Sequence, residues 1–241
     1  MSSQAFIEFS ESESVQVGRF TSAGASVRFD EASTARVVDR LRQASQRLRA
    51  ASVMPGAAIV MPTHLAMPRG TAAPHPFPPQ ATHAIEWVRT AAEAGFRMLI
   101  VREPRLDAAS DGGRRIEDEH ANLLRVLQAI RFDAEMLGLR IAVSVGHEML
   151  GTPAMAREFI DDCNSAWVGG CVCLNDPSVT SRPTDWVNSL GRRLFAIRIV
   201  GGITPAQRDA LRTIRRLVAP SDEFVISVRS DALLDDLNEW I

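Results

Sequence analysis

The stretch AIEWVRTAAEAGFRMLIVREP, residues 84–104, decides the fold. Its first half is an amphipathic Ala/Arg/Glu-rich segment that predicts a helix over about 81–95, with Gly95 fitting the position just past a helix end. Its second half, RMLIVREP (97–104), is a short apolar run that predicts a buried strand. The joint between them, AGFR (94–97), is tight. A helix that feeds straight into a buried strand is half of a β/α unit, and the rest of the chain repeats it.

Further strands are predicted at GAAIVMPTH (56–64), RIAVSVGH (140–147), AWVGGCVCLN (166–175), LFAIRIVGG (194–202) and EFVISVRS (223–230). Helices are predicted between and after them at about 115–138, 153–164, 183–191, 205–217 and 231–240. Gly138 fits a second helix end, while Thr152-Pro153 and Thr204-Pro205 fit an N-cap followed by proline at the first helical position. Upstream, residues 4–10 and 24–29 supply two more strands and 31–52 an Arg-studded amphipathic helix. Eight strands alternating with helices imply parallel pairing through right-handed crossovers. The expected fold is a (β/α)8 TIM barrel in one domain over 1–241, with an atypical segment at 1–30 and a reduced first unit. An open doubly wound sheet is the alternative, but no Gly-x-Gly-x-x-Gly follows the first strand.

Composition narrows the chemistry. The chain has 241 residues, 46 % hydrophobic and 23 % charged, with a net charge of −2. Basic residues are scattered, so neither nucleic acid nor an anionic membrane is an expected partner. No apolar run reaches the ~20 residues of a membrane span and the N-terminus lacks a signal-peptide pattern, so the expected location is the cytoplasm. All 27 basic residues counted as Lys+Arg are arginine. Without lysine, Schiff-base chemistry, pyridoxal phosphate and a P-loop are excluded. Cys163, Cys171 and Cys173 follow no zinc spacing and are read as buried apolar residues. Trp87, Trp167, Trp186 and Trp240 are read as packing residues, and His75, His83 and His120 as solvent-exposed.

Helix-to-strand joints are short, whereas strand-to-helix joints at 65–80 and 105–113 are long; in a barrel these long loops gather at the C-terminal mouth, where active sites are built. Near that mouth the strand ends carry His64, Arg102 or Glu103, Ser144 with His147 and Glu148, Asn175 or Asp176, Arg198, and Ser227 or Arg229. Arg198 interrupts the otherwise apolar AIRIV, and a buried guanidinium there must be paired or meet an anion. Arg102, Arg198 and Arg229 sit at comparable depth and suit a phosphate, carboxylate or sulfate group. Internal pairing with Glu103, Asp176 or Glu148 is the structural alternative.

Residues 81–178, and more faintly LFAIRIVGG, resemble the xylose isomerase-like sugar phosphate isomerase/epimerase superfamily in their order of helix, glycine turn, strand, Thr-Pro helix start and strand ending in Leu-Asn-Asp. The resemblance implies a barrel that holds one divalent metal through Glu, Asp, His and Glu on four successive strand ends and shuttles a proton beside a carbonyl. Laid on this chain, those positions fall on Ser144 or Val145, on Asn175 or Asp176, near Arg198, and near Val228 or Arg229. This donor set is too cationic for the expected metal. His147, Glu148 and Asp176 are the ligands left for a divalent ion if one is held.

FAIRIVGGITPAQRDAL also resembles phosphate-binding barrels of the thiamine-phosphate-synthase type, with Gly201-Gly202 before a helix N-terminus. Three functions follow. The first is a metal-independent isomerase/epimerase-like enzyme for a small anionic carbohydrate or keto acid, with no cofactor. Its proton carriers would be His64, Glu148 and Asp176, and its substrate-binding residues Arg102, Ser144, His147, Asn175, Arg198 and Arg229. The second is a non-catalytic descendant that binds a ligand or an active homologous partner subunit. The third is a phosphate-binding synthase or aldolase-like barrel. A homo-oligomer fits any of them.

Overall fold

The computed structural model describes residues 4–10, 24–28, 37–50, 55–60, 79–102, 112–147, 150–200, 202–218 and 225–228. Eight strands follow one another: β1 (Gln4–Ser10), β2 (Gly24–Arg28), β3 (Pro55–Val60), β4 (Met98–Val101), β5 (Arg140–Val145), β6 (Val168–Cys173), β7 (Leu194–Ile199) and β8 (Val225–Val228). Each pairs in parallel with the next, and β1 pairs with β8, so the sheet closes into a barrel. The described helices are α1 (Val37–Ala50), α2 (Pro79–Glu93), α3 (Gly112–Leu137), α4 (Pro153–Asp162), α5 (Pro177–Ser181), α6 (Pro183–Leu190) and α7 (Pro205–Leu217). The expected barrel is the observed one. The helix expected at 231–240 and the reduced first unit lie outside the described residues.

Strand alternation divides the apolar residues into two cores. Ala58, Leu99, Val101, Val143, Val172 and Ile197 point outward into the large core beneath the helices, together with the fully buried Trp87 and Trp186. Ile59, Met98, Ile100, Ala142, Cys171 and Ala196 fill the barrel itself. Below this inner cluster, the Arg140 guanidinium lies 4.9 Å from the centre of the Phe195 ring. Small residues alternate with large ones in this interior, because eight strands leave only enough room for side chains to fill.

The tightest point is Gly169. A Cβ there would run into the Arg193 carbonyl oxygen and lie 2.7 Å from the Phe195 ring. Its neighbour Gly170 faces the helices, where a Cβ would meet the ends of flexible side chains, Leu190 at 2.9 Å and Ile160 at 3.4 Å. The β6–β7 register shifts between Gly170 and Cys171, so Gly170 pairs with Leu194 and Cys171 with Ala196. Phe195 is thereby brought onto the inner side.

The expected helix ends hold. Gly95 and Gly138 take positive φ after α2 and α3, and Thr152 and Thr204 cap α4 and α7. All three cysteines are buried and free, as read from the sequence. Burial, reinforced by the neighbouring Asp162 carboxylate, pushes the Cys163 thiol up to about 12. His120 departs from expectation. Rather than facing solvent, it is half-buried on α3, its ring 4.7 Å from that of Phe159 on α4.

Three outcomes follow for stability and reactivity. Gly169→Ala is expected to destabilise the fold by about 2 kcal/mol or more and Gly170→Ala by clearly less, measured by urea denaturation, because backbone cannot yield as Leu190 can. Alkylation at pH 8 followed by mass spectrometry should leave Cys163 unmodified in the native protein and modify it in denaturant. The raised thiol also means that stability is lost as pH rises from about 9 toward 12, where only the unfolded thiol ionises.

Candidate functional site

The C-terminal ends of β5, β6 and β7 bring the candidate residues together. Ser144 on β5 follows the inward positions Arg140 and Ala142 at strand spacing and is 6 % exposed. On β6 the same spacing gives Cys173, which pairs in register with Arg198 on β7. Arg198 is 6 % exposed, continues the inner row after Ala196, and is held by partners. Arg102 stands one residue past β4, half-buried and also partnered. The inner rim therefore carries a hydroxyl, a thiol and two guanidinium groups.

Beyond the strand ends, the chain leaves β5 through Gly146 at φ +104°, in the left-handed region. A side chain there would also press on Val179, with Cβ 2.9 Å from its Cγ2. This turn delivers His147, the next residue, to Asp176 beyond β6. The His147 Nδ1 lies 2.9 Å from the Asp176 Oδ2, with the imidazole 46 % exposed and the carboxylate only 12 %. Asp176 also caps α5: its Oδ1 accepts the Ser178 N–H at 2.8 Å, and Pro177 fills the first helical position, where no N–H is needed. Ser178 Oγ donates to the Gly146 carbonyl at 3.2 Å and closes the loop of contacts between the two strand ends.

Both oxygens of Asp176 are thus engaged, one by a backbone N–H and one by imidazole. Nδ1 is the donor in this pair, so in the neutral ring Nε2 carries the free lone pair. A carboxylate that fixes the tautomer of an exposed imidazole is an arrangement suited to proton transfer.

Asn175 serves a different purpose. Its Nδ2 donates to the Val200 carbonyl and its Oδ1 accepts the Val200 N–H, both at 2.6 Å. The side chain thus adds one rung to the β6–β7 ladder, and the Cys173 thiol donates weakly to the same Oδ1 at 3.8 Å. His64, Glu148 and Arg229 lie outside the described residues, as do Glu103 and Gly201. Among the described residues, no three His, Cys, Asp or Glu side chains come together as a metal site.

The N-terminus of α7, the other anion-site candidate, is occupied by its own cap. Pro205 has no N–H, the Gln207 N–H goes to Thr204 Oγ1 at 3.3 Å, and Gln207 Oε1 accepts the Thr204 N–H at 2.7 Å. The sequence signal for the corresponding cap at α5 was present in Asp176-Pro177, the same N-cap and proline pattern as Thr152-Pro153 and Thr204-Pro205.

No family model matches the chain, and no curated protein matches it by sequence. Solved structures do. The chain is similar to 3-keto-D-glucoside 4-epimerase from E. coli, with a TM-score of 0.66, 12 % identity and 98 % of each chain covered. It is similar to a xylose isomerase domain protein from Planctomyces limnophilus, with a TM-score of 0.63, 12 % identity, and 99 % of this chain and 95 % of that one covered. It is also similar to the IolI protein with a bound zinc atom, with a TM-score of 0.56, 14 % identity, and 93 % of this chain and 88 % of that one covered. At these identities the likeness establishes a shared fold: the barrel resembled in sequence is the barrel observed. No described helix is long and apolar enough to cross a membrane.

The two bonds of Asp176 can be separated by substitution. Asp176→Ala should cost about 1 kcal/mol in denaturation experiments through loss of the cap, and Asp176→Asn much less, because Asn caps nearly as well. Asp176→Asn should also switch neutral His147 from the Nδ1–H to the Nε2–H tautomer, read from imidazole 15N shifts, since an amide N–H then faces Nδ1. Unchanged shifts would mean that the pair does not form in solution.

Proposed function

We propose that the chain is an epimerase- or isomerase-like enzyme that moves a proton at a carbon beside a carbonyl, on a small carbohydrate or keto acid bearing an anionic group. The His147–Asp176 pair carries this reading, at 2.9 Å and at the mouth where barrels of this fold build their sites. The lone pair on His147 Nε2 removes or returns the proton while Asp176 holds the ring in orientation and tautomer. Arg198 and Arg102 supply positive charge on the inner rim. That charge stabilises the oxyanion that develops when the proton leaves. Ser144, between them on the rim, offers a hydroxyl to the same ligand.

The fold's association with zinc in IolI raises the question of a metal here. The described donor set does not fit one. Ser144 is neutral, the Asn175 amide is committed to the backbone of Val200, the Asp176 oxygens are committed to Ser178 and His147, and Arg198 brings a buried positive charge to the strand end beside them. The proposed proton transfer uses this chain's own side chains.

Two other readings remain distinguishable from this one. A phosphate-binding barrel would use the α7 N-terminus, and its self-contained capping box argues against that use. A non-catalytic binding protein would keep the arginines without needing the tautomer of His147.

The test is a screen of ketoses, ketose phosphates and 2-keto acids in D2O, with 1H NMR reporting loss of the C–H signal beside the carbonyl. Exchange is expected with an anionic member of the set, falling about 100-fold in His147→Gln without loss of fold. Arg198→Gln should weaken binding of that anionic ligand about tenfold or more while leaving a neutral analogue unaffected. Exchange that survives in His147→Gln would remove the pair from the mechanism. Binding without exchange anywhere in the set would favour the non-catalytic reading.

A further inference from the structure

The outward face of α3 carries apolar side chains that the barrel does not use. Phe132 is 62 % exposed and Met136 86 %, one turn apart, and Leu137 at the helix end is 42 % exposed. The two flanks of α3 are already committed. On one side Arg89 of α2 grips Asp133 through Nε and Nη2 at 2.9 and 2.6 Å. On the other, Gln128 Nε2 donates to the Asp162 carbonyl at 2.8 Å and Arg131 Nη1 to the Cys163 carbonyl at 3.3 Å. The Arg131 guanidinium also covers one side of the Phe132 ring, 4.8 Å from its centre.

The charges along this apolar stripe say what can cover it. Arg125 lies two turns before Phe132 and on the same line, and Glu135 lies one turn after it on the adjoining row; both are exposed. The face is basic at one end, apolar in the middle and acidic at the other. A wholly acidic or wholly basic partner would meet a like charge at one end. A second α3 running antiparallel meets neither problem, since a two-fold axis at the level of residue 130 is equally far, about 7.5 Å at 1.5 Å per residue, from Arg125 and from Glu135. Each Arg125 then lies level with Glu135 of the second copy, to one side of it and within reach of its long side chain, and the two Phe132 side chains flank the axis.

We propose that α3 is a homodimer face, on which two copies pack antiparallel across Phe132 and Met136 with Arg125 of each opposite Glu135 of the other. The proposal is independent of the chemistry at the barrel mouth.

Sedimentation equilibrium on the full chain, over about 1 to 100 µM, tests it. The unsubstituted protein should show a monomer–dimer equilibrium in this range. Met136→Glu should abolish the dimer with an unchanged circular dichroism spectrum, because the residue is on the surface. Arg125→Glu and Glu135→Arg should each weaken association about tenfold or more, and the double reversal should restore it. A protein that is monomeric throughout, a dimer indifferent to Met136→Glu, or a double reversal no better than the single ones would each overturn the proposal.

Discussion

The carboxylate of Asp176 is the contact on which the candidate site depends. It sits where β6 ends, stops the chain with a helix cap, and at the same time reaches the loop after β5 through His147. Without it, two neighbouring strand ends would present an exposed imidazole with no fixed tautomer and a short helix with no N-terminal acceptor. With it, the backbone turn at Gly146, the Ser178 hydroxyl and the imidazole form a closed set of hydrogen bonds. The barrel beneath supplies what this contact needs. Parallel pairing places Val145 beside Val172, and from that register the two loops run toward each other over the mouth.

The same register explains which parts were legible in the sequence. The barrel was, because each unit repeats an amphipathic helix, a glycine or cap signal and a buried strand, and these signals are local. The inward position of Arg198 was also legible, since a charge within AIRIV leaves few physical alternatives. The pairing of His147 with Asp176 was not. The two are far apart in sequence, and only the β5–β6 register joins them, whereas sequence adjacency drew attention to Glu148 instead. The cap at Asp176-Pro177 was readable by the rule that identified Thr152-Pro153, yet its position at a strand end gave it the look of a free acid. Asn175 misleads in the same way, because nothing local shows that an amide will extend a ladder to Val200. His120 shows the limit of composition: a helical histidine was read as exposed, and Phe159 of the next helix half-covers it.

Electrostatics distinguishes the described inner rim from a set of metal ligands. A divalent cation would require anionic or imidazole ligands converging on the inner rim, and the described rim instead offers a hydroxyl, a thiol and guanidinium groups. A buried guanidinium is itself a fixed positive charge with planar donors, suited to a carboxylate, a phosphate or a developing oxyanion. For the proposed proton transfer, the tautomer imposed on His147 leaves a free lone pair on Nε2.

Chemical rescue tests this account most directly. Replacing His147 by glycine removes the base while leaving Asp176 and its cap in place, so free imidazole added to the variant can occupy the space and regain the contact with the carboxylate. The account predicts that His147→Gly loses proton exchange on its substrate and that imidazole restores it in a saturable way. Exchange at the unsubstituted rate in His147→Gly without added imidazole would contradict it.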